Sequence, residues 1–321
     1  MEMMDIREFT EKLKDEIREY LPDDVCRDVE IGDTTVVKMN DQKLHGLMFR
    51  MPGSDAAPTL YVNDMYEAYS EGADIGYLAS EMANMYTQTK DSPRPPEIKL
   101  DFDAVRNNLT VRLLEKKRNR EFLANMPYVS VGHGLAVIAD INMGEDRGGD
   151  WRIAVNNSVL ESMGVDKETL FAEAMNSSML MDPPLLIDMS NALFSLDREN
   201  LLDRTDPIAP EDIGGMYVLT NASGSFGAAA MFYPDVKEKA AELIGGDYYI
   251  LPSSVHEVIL VPDVQGISAK ELSDMVKQAN RTVVDEKDIL SDNVYHYSRD
   301  ERRLDKASGE PNRGDMVAEG R

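Results

Sequence analysis

Ser253, Ser254, His256 and Glu257 stand together in the run Ser253-Ser254-Val255-His256-Glu257. Hydroxyls, an imidazole and a carboxylate are the groups of nucleophilic acyl transfer. That chemistry needs the serine within hydrogen-bond reach of the histidine, and an acid that orients the ring. A strand sends neighbouring side chains to opposite faces, so His256 and Glu257 are not expected to meet. Paired serines are also ordinary turn residues that bond their own backbone. The segment therefore reads first as turn chemistry. Ser253, Ser254, His256 and Glu257 stay as catalytic candidates for a hydrolase-like enzyme completed by the Asn221–Phe226 loop.

That loop is Asn221-Ala222-Ser223-Gly224-Ser225-Phe226-Gly227, whose backbone N–H groups could face an anion. No Gly-Lys-Ser/Thr follows, so it is not a phosphate loop of the usual kind. Ser225 directly follows Gly224, so the spacing of a nucleophile elbow is not met either.

One basic cluster, Arg112, Lys116, Lys117, Arg118 and Arg120, supplies the anion-binding candidates. Without a Gly-rich loop or interleaved aromatics, it reads first as a solvated turn paired with nearby acids. The four histidines, His45, His133, His256 and His296, show no helical zinc spacing, and Cys26 is the single cysteine. No metal and no cofactor are expected. Asp101 with Asp103, and Asp146 with Asp150, read as caps or solvated turn residues.

The elements that must carry these residues show a recurring pattern. From His133 to Ser178 the sequence predicts an apolar strand (135–141), a polar turn (144–150), a strand from Trp151 to Val155 and a helix from Asn156. Gly164 ends that helix, and Asp166 caps another with Leu170, Phe171, Ala174 and Met175 on one face. A diverged copy runs from His45 to Tyr86, where Asn63, Gly72 and Asp74 take the matching places. His45 and His133 open the two copies.

Elsewhere, Ile6, Phe9, Leu13, Ile17 and Leu21 predict an amphipathic helix over 5–21, begun by an Asp5/Glu8 capping box. Strands are expected at Cys26–Ile31 and Thr34–Met39 about a turn at Gly32-Asp33, and again at Leu109–Leu114. Leu185 to Pro210 reads as a long connection. Strands at Met216–Thr220 and Phe226–Phe232 precede a helix from Pro234 to Ile244. A hairpin joins Tyr248–Leu251 to His256–Val261, and Ser268 with Glu271 forms a second capping box.

The fold class expected is α+β: antiparallel β-hairpins with helices on one face, in two to three related strand-strand-helix-helix units. The Pro-rich break at 92–96 divides an N-terminal module (1–91) from a C-terminal region with two units (97–284). Residues 285–321 are expected to be an extended, largely disordered tail.

The chain has 321 residues, 42% of them hydrophobic, enough for a substantial core. No apolar run approaches the length of a membrane helix, and a lone cysteine fits a reducing cytoplasm. The net charge of −25 disfavours direct binding to nucleic acid or an anionic membrane. It admits an acidic nucleic-acid mimic. The 20 methionines read as core filler.

Three stretches carry a resemblance. They are Tyr217-Val218-Leu219-Thr220-Asn221, leading through Gly227-Ala228-Ala229 to Tyr233-Pro234-Asp235; Tyr248 to Val258; and Leu290-Ser291-Asp292-Asn293-Val294-Tyr295-His296-Tyr297. With them the chain resembles a bacterial family, domain of unknown function 5688, over residues 5–300, and more distantly domain of unknown function 1444. The resemblance implies a cytoplasmic bacterial protein and transfers no catalytic residue. The functional expectation is a non-catalytic interaction or regulatory protein with a protein partner. The alternatives are the hydrolase-like enzyme and the nucleic-acid mimic.

Overall fold

The computed structural model describes residues 3–52, 57–90, 100–146, 149–194, 199–209, 213, 215–263 and 268–307. The chain divides into two compact units, Met1–Ile98 and Lys99–Arg321.

The first unit begins with α1 (Ile6–Glu16), whose Asp5/Glu8 capping box forms as the spacing predicts. Pro22 precedes a short α2 (Asp23–Cys26) with acids in its first turn. The expected pair of strands around Gly32-Asp33 is instead one strand, β1 (Glu30–Val37), in which Gly32 lies opposite Met48. It pairs antiparallel with β2 (Lys43–Arg50), which pairs with β3 (Thr59–Tyr61). Helices α3 (Asn63–Ser70) and α4 (Ile75–Lys90) follow. Phe9, Leu13 and Ile17 meet Leu47, Phe49, Met82 and Tyr86 in one buried core, with the Phe49 and Tyr86 rings stacked at 4.4 Å. The apolar stripe read from α1 is therefore the face that this sheet and α4 cover.

The second unit opens with α5 (Phe102–Val105), β4 (Leu109–Glu115), α6 (Arg120–Leu123) and β5 (Val129–Ser130). Then come β6 (Leu135–Asp146), β7 (Gly149–Ala154), α7 (Asn157–Met163) and α8 (Lys167–Met181). β6 pairs with β4 along one side and with β5 and β7 besides. Gly164 closes α7 in the left-handed conformation, and the Asp166 side chain caps α8.

The remaining strands make a six-stranded antiparallel sheet in the order β13-β12-β10-β11-β9-β8. These are β8 (Pro184–Asp188), β9 (Tyr217–Asn221), β10 (Tyr248–Leu251), β11 (Val258–Pro262), β12 (Tyr295–Ser298) and β13 (Arg303–Lys306). Helix α9 (Met189–Phe194) follows β8, α10 (Val236–Ile244) precedes β10, and α11 (Ala269–Thr282) follows β11. Tyr248 on one face bonds the Lys237 carbonyl of α10 at 3.1 Å. Leu251 and Val261 join Leu272 and Val276 of α11 in a separate cluster on the other face. Helices thus cover both faces of this sheet, not one, because β10 and β11 are apolar at alternate positions of both parities.

Three further expectations change. Residues 185–188, read as connection, belong to edge strand β8. Its outer edge is covered by the Asn200 amide, which accepts from Leu186 N at 3.0 Å and donates to Pro184 O at 3.1 Å. Residues 227–232, read as strand, form a 3-10 turn (Gly227–Phe232) buried against β9. A Cβ on Gly227 would collide with Thr220 Oγ1 and lie 2.5 Å from Asn221 N, so the approach requires glycine. The tail expected over 285–321 is ordered through residue 307. Tyr295 and Tyr297 of β12 are fully buried beside β10, and β13 completes the sheet; residues 308–321 lie outside the described residues. The Tyr295/Tyr297 alternation is a period-two strand signal inside a polar stretch. Among the described residues no helix is long and apolar enough to cross a membrane.

Candidate functional site

Ser254 forms an isolated bridge with Ile289, and its Oγ accepts from His256 N at 3.0 Å. The Ser253 carbonyl accepts from Leu290 N at 3.0 Å. His256 Nδ1 accepts from Phe226 N at 3.2 Å, and its Nε2 lies 3.4 Å from Asp288 Oδ1. An Nδ1 that accepts carries no proton, so the neutral ring holds its hydrogen on Nε2, toward Asp288; this tautomer follows from the bonding partners. Both ring nitrogens and the Ser254 hydroxyl are thus engaged. Glu257 lines a groove of about 260 Å³ with Leu185, Ile187, Val218 and Ile259, apart from the bonds of the His256 ring. Both residues precede β11 rather than lying within it, and they are separated because the ring turns to Phe226 N while the carboxylate lines the groove.

The Asn221–Phe226 loop does come to His256. Phe226, at φ +54°, stacks on the imidazole with centroids 5.2 Å apart. The guanidiniums of Arg112 and Arg152 stand 4.8 and 5.4 Å from its ring centre. Asp182 ties down the rest of the loop. It accepts from Ser223 N at 2.8 Å, from Ser223 Oγ at 2.6 Å and from Asn221 Nδ2 at 2.6 Å. A cavity of about 300 Å³ opens beside Arg152, Asp182, Ser223 and Ser225. Near it, burial pushes the Tyr233 hydroxyl up to about 12, against a hydrogen bond with Ser178 that lowers it.

The basic cluster is divided by the fold. Arg112 alternates inward on β4 and pairs with fully buried Asp140, Nη2 to Oδ1 at 2.5 Å. Arg118 lies 3.5 Å from Glu115 Oε2 and 2.7 Å from Asp292 Oδ2. The same Glu115 accepts from Ser291 Oγ at 3.0 Å and Asn293 Nδ2 at 2.8 Å. Burial pushes the Asp292 carboxyl up, but the Asn280 hydrogen bond and the Arg118 charge outweigh it and hold it below the usual carboxylate value. Lys116, Lys117 and Arg120 instead border an open depression of about 460 Å³ with Leu123, Ala124, Tyr128 and Gly134. Tyr128 is the aromatic that the linear reading did not pair with the cluster; α6 carries the chain around to it. Nor did that reading assign roles to Glu115 and Asp292. Their only signal was that they sit in, or beside, stretches singled out for other reasons.

The other histidines are dispersed. His45 Nδ1 lies 3.2 Å from Thr35 Oγ1, and His296 Nε2 lies 3.0 Å from Asp263 Oδ2. His133 sits edge-on to Tyr295 at 6.0 Å. Among the described residues no group of three or more His, Cys, Asp or Glu could hold a metal ion. Asp101 accepts from Asp103 N at 2.9 Å as the cap of α5, while the side chains of Asp146 and Asp150 lie outside the described residues.

No curated protein and no solved structure matches the chain. A family model does: residues 6–299 match DUF5688, a family of unknown function.

Proposed function

The chain belongs to this family of unknown function, and from its own geometry we propose a non-catalytic interaction or regulatory protein. The observation that supports it most is the engagement of His256. Its ring accepts from Phe226 N, faces Asp288 and stacks on Phe226, so it joins the 3-10 turn to the loop before Ile289. A general base needs a free acceptor nitrogen directed at its nucleophile. This imidazole directs its acceptor at a backbone amide. The net charge of −25 suits a protein partner with basic groups.

The competing reading, a hydrolase-like site around His256 and the Asn221–Phe226 loop, draws on the cavity beside Ser223 and Arg152. One set of assays separates the two. Wild type, Ser223→Ala, Ser254→Ala and His256→Ala are tested on p-nitrophenyl esters, phosphates and glycosides. We expect no turnover that any substitution abolishes, and a lower unfolding midpoint for His256→Ala. Wild-type turnover removed by Ser223→Ala or Ser254→Ala, with melting unchanged, would establish the enzyme instead.

We also infer that β1-β2-β3-α3-α4 and β4-β6-β7-α7-α8 are copies of one module. Support comes from the shared order of pairing and from a matching bond: Val62 N to His45 O at 2.8 Å, and Val155 N to Ala139 O at 3.0 Å. In that register His45 corresponds to Ala139 rather than to His133, which lies in a turn before β6. Experimental coordinates of the two segments should superpose with this register; superposition in another register would remove the inference.

A further inference from the structure

Acids outnumber bases by 59 to 34 in this chain, so a surface depression bordered by bases alone runs against its composition. Lys116, Lys117 and Arg120 border the depression, and among the described residues no acid lines it. Lys116 Nζ donates to the uncharged Ser130 Oγ at 3.0 Å. Lys117 and Arg120 make no ion pair among the described residues. The neighbouring Arg118, by contrast, is drawn away to Glu115 and Asp292. A concave site lined by one sign of charge concentrates its field on a small counter-ion.

The turn that holds these bases is already ordered. Glu115 is bound by Ser291 and Asn293, and fully buried Asn119 donates to the Glu115 carbonyl at 2.9 Å. Lys116 N bonds Gly134 O at 2.8 Å. Gly132, His133 and Gly134 all take left-handed φ values of 86°, 53° and 84°, and the His133 ring rests edge-on to buried Tyr295. Binding to such a turn orders little new backbone, which favours affinity. The rest of the described lining is Leu123, Ala124, Gly134 and Tyr128, which is 37% exposed. Cations beside an aromatic and apolar wall suit an anion attached to a planar body.

We propose that this depression binds a small phosphate ester carrying a planar ring, of nucleoside mono- or diphosphate size, as a regulatory ligand. The phosphate meets Lys117, Arg120 and Lys116, and the ring lies on Tyr128. A volume of about 460 Å³ falls in the range of small-molecule sites. A nucleic-acid strand fits less well, because it would extend its charge over a surface with a net −25. The proposal deepens the non-catalytic reading above and rests on it for the word regulatory.

The test is displacement of a fluorescent ADP analogue from the full chain by AMP, ADP, inorganic phosphate, adenosine and a short single-stranded oligonucleotide. ADP or AMP should displace it better than phosphate, adenosine or the oligonucleotide. Lys117→Glu with Arg120→Glu should weaken ADP at least about tenfold, and added salt should weaken it further. Tyr128→Ala should weaken ADP and leave phosphate unchanged. Circular dichroism confirms that each variant is folded; Lys117→Ala replaces a variant that is not. Absence of saturable binding, ADP affinity unchanged by the basic substitutions, or tighter binding of the oligonucleotide would overturn the proposal. Hydrolysis of bound ADP, lost with the basic substitutions, would uphold the site and remove the non-catalytic reading.

Discussion

Glu115 and Ser291 stand 176 positions apart in the chain and meet through a 3.0 Å hydrogen bond in the interior. Glu115 ends β4 and is 8% exposed; Ser291 precedes β12 and is fully buried. Asn293 and Arg118 complete the shell of the carboxylate. A buried carboxylate is tolerable only with such partners. The stretch Ser291-Asp292-Asn293, which carries part of the family resemblance, is therefore a clamp that fixes the basic turn to the six-stranded sheet.

Removing the carboxylate should be costly. Glu115→Ala removes the charged acceptor of Ser291 Oγ and Asn293 Nδ2 and leaves Arg118 to Asp292 alone, and should lower unfolding free energy by about 3–6 kcal/mol, two hydrogen bonds to a charged group at about 1.5–3 kcal/mol each. Ser291→Ala removes one bond from a charged acceptor and should cost about 1.5–3 kcal/mol. Urea denaturation of the three proteins gives both values; a Glu115→Ala loss below that of Ser291→Ala would contradict the clamp.

Asp292 makes the clamp sensitive to acid. Its carboxyl lies below the ordinary value in the folded protein, so the charged form is favoured by folding. A depressed folded pKa contributes stability that is complete above the unfolded value of about 4 and is lost as pH falls through the folded value. Wild type should therefore melt above Asp292→Asn near neutral pH, and the difference should shrink with acidification below about pH 4. A difference that stays constant across this range would show that the charge contributes nothing.

Gly227 tests the packing of the 3-10 turn on β9. An added methyl would meet Thr220 Oγ1 and approach Asn221 N, which is backbone and cannot swing aside. Gly227→Ala should lower stability by about 1–3 kcal/mol, the range for overpacking. Thr220→Ser in the same background should not rescue it, because the hydroxyl and the Asn221 amide remain in place. Full rescue by Thr220→Ala, which removes the hydroxyl, would place the whole clash on that group.

His256 should behave as a structural tie. His256→Ala leaves the Phe226 amide and Asp288 without their ring partners and should cost about 1–3 kcal/mol. Hydrogen exchange at the Phe226 amide should accelerate in the variant while amides of β6 stay protected. Unchanged exchange at Phe226 would mean that the Nδ1 bond is not populated.

The parts governed by local pattern were readable from the residues in order. The α1 stripe, the Asp5/Glu8 and Ser268/Glu271 capping boxes, the Gly164 end of α7 and the β10–β11 hairpin all follow from neighbours within a few positions. His256 and Glu257 do stay apart, but they lie ahead of β11, so strand alternation is not what separates them. Residues whose state depends on distant partners were not readable. The short apolar run over 227–232 does not by itself distinguish strand from turn, and close packing of Gly227 on Thr220 and Asn221 accompanies the 3-10 form. Residues 295–306 look like polar tail by composition, and become strands because β10 offers an open edge to buried Tyr295 and Tyr297. The five bases look alike in order along the chain. The tertiary structure assigns Arg112 to Asp140 and Arg118 to Glu115 and Asp292, and leaves Lys116, Lys117 and Arg120 around one depression, because charge pairing is set by distance in space and not by spacing in sequence.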